Sequence, residues 1–167
     1  MDAKAEMEAF LAHRVSPFVR ERGFHRRGQR YAAARGDNSI FVHFQRRAGF
    51  FTCDLGIVSA LLLAALGPFP PEHWRQRLGA MALEYDRWWD LEDGQEVVAA
   101  EFLPALGRGL DRVEPLATDE GLRDELLREV MLDPRPPPPA VTELVLPLIR
   151  ALGPPAWVAP WVAPSDV

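Results

Sequence analysis

Cysteine and lysine are nearly absent from this sequence of 167 residues, which has one of each, Cys53 and Lys4. A single cysteine excludes a disulfide within the chain and leaves no cysteine spacing of the kind that zinc sites use. The longest apolar run, residues 60–66, is far shorter than the ~20 residues of a membrane-spanning helix. The N-terminal residues carry acids and no apolar run, so no signal peptide is predicted. We therefore expect a soluble, cytoplasmic protein without a membrane association.

Catalytic and metal-binding signatures are missing as well. The four histidines include no pair at the i, i+4 spacing of a helical zinc site, and the sequence has no HExxH, no GxSxG and no phosphate-binding glycine loop. The acidic residues between positions 86 and 96 lack the alternating ligand spacing of a calcium loop, so we interpret them as a solvated turn. We predict no metal and no cofactor.

Charge is distributed unevenly along a chain whose net charge is −5. Residues 1–50 hold ten Lys or Arg against five Asp or Glu, a balance of +5, whereas residues 51–167 hold nine against nineteen, a balance of −10. The overall acidity disfavours nucleic-acid binding, which is typical of basic domains. We expect the basic N-terminal segment to fold against the acidic helices that follow it.

The periodicity of the apolar residues predicts an α+β fold. Spacings of three and four from Met7 to Val19 predict an N-terminal helix, with an irregularity at Pro17 and a stop at Gly23. The C-terminal helices are expected to pack on one face of an antiparallel sheet of about four strands. The strands are predicted at residues 30–35, 39–45, 50–58 and 87–91, and further helices at 59–66, 95–113, from 118 onward, and at 142–152. The stretch 74–81 could form one or two helical turns.

The first three strands carry apolar and polar residues in alternation. If residue 33 faces 40 and residue 42 faces 53, the alternation agrees across all three strands. The apolar face is the predicted core, and Cys53 lies on it, where a buried thiol is inert. The opposite face is mixed rather than plainly polar, so part of it should be covered or should serve as a contact surface. The predicted core face comprises Tyr31, Ala33, Ile40, Val42, Phe44, Phe51, Cys53, Leu55 and Ile57.

A proline-rich stretch divides the chain. Residues 1–133 are predicted to form a single α+β domain, and residues 134–139, PRPPPP, a stiff polyproline II linker. The last part, residues 140–167, is predicted to hold an amphipathic helix and a tail in which WVAP occurs twice. Trp157 and Trp161 in this tail either dock back on the mixed face of the sheet, which we expect, or anchor a partner.

Several short motifs occur in a recognisable order. Gly23-Phe24 and Gly28 precede a strand with Phe44-Gln45 and a strand with Leu55-Gly56, and this arrangement resembles the bacterial family called domain of unknown function 4304. The segments WRQRLG (74–79) and DRWWDL (86–91) are also similar to downstream parts of that family. The resemblance covers residues 5–130; it implies the α+β fold and brings no established activity.

The mixed face carries residues that could form a small polar site. In the register above, His43 faces Thr52, with Asp54 diagonally within reach and Arg30 on the other neighbouring strand. A His–Asp pair beside Arg30 and Gln45 could position a proton or bind an anion. The same residues are typical of a cross-strand polar ladder that only stabilises the sheet, and we favour this second interpretation.

A basic cluster is the strongest functional signal in the sequence. We predict that its side chains converge at one end of the sheet and bind an anionic surface. A local patch of this kind suffices to steer association with an acidic protein. The central members are Arg26, Arg27, Arg46 and Arg47, accompanied by Arg20, Arg22, His25 and Arg30.

These observations predict a non-enzymatic module that binds another protein. Small bacterial antitoxin and immunity proteins are of this kind, although that is an analogy at the level of the fold. The alternative is an enzyme or small-molecule-binding protein with a pocket formed by His43, Asp54, Gln45 and Arg30. A deep pocket on the mixed face would favour the alternative, whereas a flat or covered face would favour the binding module. Nucleic-acid binding through the arginine cluster is the third and least favoured candidate.

Overall fold

A computed structural model describes residues 3–68, 72–132 and 139–158 of the chain. These ranges form an α+β fold in which helices pack on one face of a single antiparallel sheet, as the sequence predicted. The strands are β1 His25–Arg27, β2 Arg30–Arg35, β3 Asn38–Arg47, β4 Phe50–Val58, β5 Trp74–Arg77 and β6 Trp89–Asp90. The α-helices are α1 Ala3–Phe10, α2 Ser16–Arg20, α3 Ala60–Leu66, α4 Leu78–Ala82, α5 Gln95–Val113, α6 Asp119–Leu132 and α7 Pro139–Leu152.

The sheet has more strands than the four expected. Its order is β1-β2-β3-β4-β5, and β6 pairs with a separate part of the same β4 edge. β1 and β5 are too short and too polar to show a period of two in the sequence. One or two helical turns were expected within residues 74–81, and the structure forms β5 at Trp74–Arg77 before the helical turn α4 begins at Leu78. Only two residues of the predicted strand at 87–91 pair with β4. Tertiary pairing therefore adds strands that local propensity does not indicate.

The register between β3 and β4 differs from the prediction by two residues. Ala33 lies opposite Ile40 as expected, but Val42 lies opposite Leu55 and not Cys53. The observed hairpin places Gly49 in its two-residue loop, where the predicted register would have required Arg47 and Ala48. Because side chains alternate with a period of two, a shift of two residues leaves every side chain on its predicted face.

The N-terminal helix is irregular where Pro17 interrupts it. Residues Leu11–Val15 form a π-helical turn between α1 and α2, and the Ser16 N–H donates to the carbonyl of Leu11. Gly23 ends the helix with φ +82°, and the Phe24 N–H donates to the carbonyl of Val19 at 3.1 Å. Both features were predicted from the proline and the glycine, and they direct the buried Phe24 ring back towards the core.

The predicted core face is buried in full beneath the helices. Phe102 of α5 lies at the centre, with its ring 5.2 Å from that of Phe51 and 5.0 Å from that of Trp89. Phe10 and Phe44 complete the cluster at 5.9 and 5.8 Å from Phe102. Edge-on and tilted ring pairs at these separations are favourable beyond the area they bury. The cluster joins α1, α5 and three strands into one core.

The C-terminal part packs on the same assembly. α7 lies against α6 and α3, and Leu144, Val145 and Leu148 of α7 are buried in the core. Residues 134–138 of the predicted polyproline II linker lie outside the described residues, and Pro139 is already the first residue of α7. No helix in the described ranges is long and apolar enough to cross a membrane.

Candidate functional site

The side of the sheet opposite the core, which we call the polar face, carries a continuous row of polar residues. The register aligns Arg27, Arg30, His43, Asp54 and Arg77 as direct cross-strand neighbours, one from each of five strands. Direct cross-strand neighbours on one face lie close enough for their side chains to interact. The row therefore contains three arginines, one histidine and one carboxylate across the full width of the sheet.

The carboxylate of Asp54 is the most buried charge on this face, with 4% of its surface exposed. The side-chain amide of Gln45 donates to it, and the guanidinium nitrogens of Arg75 and Arg77 lie 3.6 and 3.5 Å away. His43 lies directly opposite Asp54, but no hydrogen bond joins the two in the described residues. The carboxylate is thus already engaged by one amide and two guanidinium groups.

The surface above Asp54 is a shallow depression of about 450 Å³, open to solvent. Thr52, a predicted member of this site, is fully buried, and its hydroxyl donates to the backbone carbonyl of Arg87 at 3.0 Å, so it does not point to a ligand. Sequence reasoning missed the two arginines from β5 because it did not predict that strand. The depression is lined by Gln45, Asp54, Arg75, Gln76, Arg77, Ala80 and Asp86.

Arg30 is held in place by an aromatic platform. Its guanidinium carbon lies 4.1 Å from the centroid of the Phe41 ring, and a nitrogen lies 3.4 Å from Glu72. The Phe41 ring in turn lies against Gly56, where a Cβ atom would meet the ring at 2.1 Å. A glycine is required here because any side chain would displace the ring. The Gly56–Phe41–Arg30 stack therefore fixes a cation on the polar face at a cation–π distance.

The arginines of the N-terminal segment, which include the predicted basic cluster, fall into two groups. Arg22 pairs with Asp111 at 2.7 Å, Arg35 pairs with Glu114 at 2.6 Å, and Arg14 pairs with Glu96. These pairs join the N-terminal segment to the acidic region from 95 to 114, as the charge distribution indicated. Arg26 also has an internal partner, Glu8 of α1. Its guanidinium therefore points away from the polar face.

The second group is available to solvent. Arg27, Arg46 and Arg47 are exposed and make no ion pair in the described residues. Arg27 and Arg47 lie on the polar face, because Arg27 is opposite Arg30 and Arg47 is opposite Phe50. Arg46 precedes Arg47 on β3, so its side chain leaves the other face of the sheet. The turns after β1 and β3 bring these residues to the same end of the sheet.

An exposed aromatic surface lies beside Arg47 at that end. Phe50 is 45% exposed, and the half-buried Trp88 lies next to it, lining a shallow cavity of about 410 Å³ together with Arg47 and Ala48. The guanidinium of Arg77 is 5.4 Å from the Trp88 ring centroid, which links this surface to the row across the sheet. Sequence reasoning missed Trp88 because it did not assign a face to each residue of the Trp88-Trp89 pair.

The described part of the tail docks on α6 rather than on the polar face of the sheet. The indole N–H of Trp157 donates to Asp124 at 3.3 Å, and the guanidinium carbon of Arg128 is 5.9 Å from the ring centroid. Arg123 donates to the carbonyl of Gly153 at 3.0 Å, which fixes the chain before the tryptophan. The prediction for Trp157 is thus corrected to contact with α6, whereas Trp161 lies outside the described residues.

Two further buried side chains, those of Cys53 and His73, are of types that take part in catalysis or metal binding in other proteins. Cys53 is fully buried, and burial raises the pKa of its thiol well above its usual value, which disfavours the nucleophilic thiolate. His73 is buried too, and its Nδ1 accepts a hydrogen bond from the Ser59 N–H at 2.9 Å. Over residues 3–68, 72–132 and 139–158, no three His, Cys, Asp or Glu side chains come together in a way that could hold a metal ion.

Comparisons with protein-family models, with curated proteins and with solved structures find no match to this chain. The resemblance to the domain of unknown function 4304 family stays a prediction.

Proposed function

We propose that this protein is a non-enzymatic module that binds an acidic protein through the aromatic end of its polar face. The observation that carries this proposal is the surface formed by Phe50, Trp88 and Arg47. Tryptophan, phenylalanine and arginine are enriched at the centres of protein interfaces. Here an exposed phenylalanine, a half-buried tryptophan and an arginine without an ion pair in the described residues line one shallow cavity.

The charge of this surface indicates the chemistry of the partner. Arg27, Arg46 and Arg47 lack carboxylate partners in the described residues although the chain as a whole carries a net charge of −5. Local positive charge on an acidic protein speeds association with a complementary acidic patch and disfavours other surfaces. An antitoxin or immunity protein would fit this description, by analogy of fold class alone.

The other candidate functions have weaker support. An enzyme would need a base near a substrate cavity, but Asp54 is engaged by Gln45 and two arginines above a shallow depression. A nucleic-acid-binding protein would need a broad basic surface, whereas the polar face also carries the Asp54 and Glu72 carboxylates among its arginines.

The test begins with capture of partners from a lysate of the source organism on the immobilised protein. Each captured protein is then purified and titrated calorimetrically with the wild type, with the double variant Arg47→Ala, Phe50→Ala, and with the control Arg108→Ala, Val97→Ala. The control removes one exposed arginine and one exposed apolar side chain from α5, a helix that packs on the opposite, core face of the sheet.

We expect an acidic partner whose affinity falls at least about 100-fold in the polar-face variant and is unchanged in the control. We also expect the wild-type affinity to fall when the salt concentration is raised, because the arginine contacts are screened. Equal binding by the polar-face variant, or equal loss in both variants, would overturn the proposal.

A further inference from the structure

A third cavity of the polar face lies over β1 and β2 and has none of the residues that line the cavity at Phe50 and Trp88. Its volume is about 490 Å³, and it is lined by His25, Arg27, Arg30 and Ala32. All of the polar side chains in its wall are nitrogen donors or can become donors, and none is a carboxylate. A pocket with this lining is complementary to an anion.

The two arginines of this cavity form a like-charge pair. Arg27 and Arg30 are direct cross-strand partners, so their side chains leave the same face of the sheet side by side. Like charges in this arrangement destabilise a sheet. Arg27 has no ion pair in the described residues, and Arg30 contacts Glu72 through a single nitrogen at 3.4 Å. The pair is therefore left with unused donors and with a repulsion that Glu72 offsets at Arg30 only, and an anion between the two guanidinium groups would satisfy both.

The cavity is also organised before any ligand arrives. The Phe41 ring supports the guanidinium of Arg30 from below at 4.1 Å, and Gly56 allows the ring to lie flat against the sheet. Ala32, directly opposite His25, is small enough to leave space between the donors. A guanidinium held in position loses little conformational freedom when it binds, which strengthens bidentate contacts to a tetrahedral oxyanion.

We propose that this cavity binds a phosphate group. Arg27 and Arg30 each present two parallel N–H donors to a pair of phosphate oxygens, and the His25 imidazole donates to a third oxygen. Phosphate matches the arrangement because its oxygens accept bidentate donation from more than one guanidinium, which spherical anions cannot do. The phosphate group is either free inorganic phosphate or part of a small phosphomonoester, and the two sources share this chemistry. The inference does not depend on the proposed protein partner.

The experiment is a calorimetric titration with inorganic phosphate at constant ionic strength, so that general screening does not change between points. We expect saturable binding of one phosphate per chain. The exposed Arg27 can be changed without loss of packing, so Arg27→Ala should fold normally and weaken binding at least about tenfold, and Arg27→Lys should recover part of the loss. Melting temperatures of all variants check that the fold is intact.

The matched control is Arg47→Ala, which removes another exposed, unpaired arginine of the polar face outside this cavity. We expect it to bind phosphate as the wild type does. A parallel titration with O-phosphoserine identifies the source, because equal or tighter binding indicates a phosphomonoester and weaker binding indicates the free ion. Absence of saturable phosphate binding, or an equal loss in Arg27→Ala and Arg47→Ala, would overturn the proposal and would leave the protein-binding proposal to its own test.

Discussion

Phe50 and Phe51 are neighbours on β4, yet Phe50 is 45% exposed whereas Phe51 is fully buried among four other aromatic rings. Alternate residues of β2, β3 and β4 belong to the core face and to the polar face, although Thr52, Asp54 and Phe41 of the polar face are buried as well. The core face is stabilised by close packing against helices. The polar face is organised by ion pairs, cation–π contacts and hydrogen bonds. One set of strands thus provides a packed interior on one side and a surface of charged and aromatic side chains on the other.

The largest expected loss in the free energy of unfolding comes from a substitution in the core. Phe102→Ala removes the ring that contacts Phe51 and Trp89 at 5.2 and 5.0 Å, and truncation at a packed site of this kind costs about 3–5 kcal/mol. Urea denaturation monitored by circular dichroism measures the loss. Phe50→Ala is the control for the polar face, and we expect it to change the free energy of unfolding by less than about 0.5 kcal/mol. Equal costs at the two positions would remove the distinction between the faces.

A smaller effect is expected where the polar face itself contains a buried group. Asp54→Asn keeps the shape of the side chain but replaces a charge that Gln45, Arg75 and Arg77 stabilise. We expect a loss of about 1–3 kcal/mol in the free energy of unfolding. Asp86→Asn removes a more exposed partner of Arg77 and should cost less than about 1 kcal/mol. If Asp86→Asn were the more damaging change, the burial assigned to Asp54 would be incorrect.

The smallest effect concerns a histidine just before β5. Burial lowers the pKa of His73 below its usual value, so the unfolded chain binds the proton more readily than the folded one. The contribution of His73 is therefore fully present above pH 6.5 and is lost as the pH falls below that value. Urea midpoints at pH 7.5, 6.5 and 5.5 should show this loss in the wild type.

His73→Asn is the matched variant, because its side-chain carbonyl can accept the Ser59 N–H in place of Nδ1. Burial raises the pKa of Glu129, which therefore contributes a pH dependence of the opposite sign. This contribution is the same in both proteins and cancels when their stabilities are subtracted. We expect a flatter pH dependence in the variant. The same slope in both proteins would show that His73 does not distinguish the folded from the unfolded state by its protonation.

The sequence was sufficient to divide the residues of β2, β3 and β4 between the two faces. Alternation has a period of two, so even a register shifted by two residues kept Cys53 inside and His43 outside. The helix stop at Gly23 was also predictable, because a glycine in the left-handed region is a local signal.

The partners of the polar-face residues were not predictable in the same way. Asp54 of β4 pairs with Arg75 and Arg77 of β5, a strand of four residues in which apolar and polar residues do not alternate. Arg26 and Arg27 are equivalent in the sequence, but one pairs with Glu8 and the other faces solvent. Such contacts depend on which segments the fold brings together, and no local pattern encodes them.

Hydroxyl-radical footprinting read by mass spectrometry, with and without the purified acidic partner, tests the division of the sheet most directly. We predict that the free protein is oxidised readily at Phe50 and Trp88 and hardly at Phe51 and Cys53. We predict that the partner then protects Phe50 and Trp88 while leaving Val97 of α5 unchanged. Rapid oxidation of Phe51 or Cys53 in the folded protein, or protection at Val97 in place of Phe50, would contradict the account.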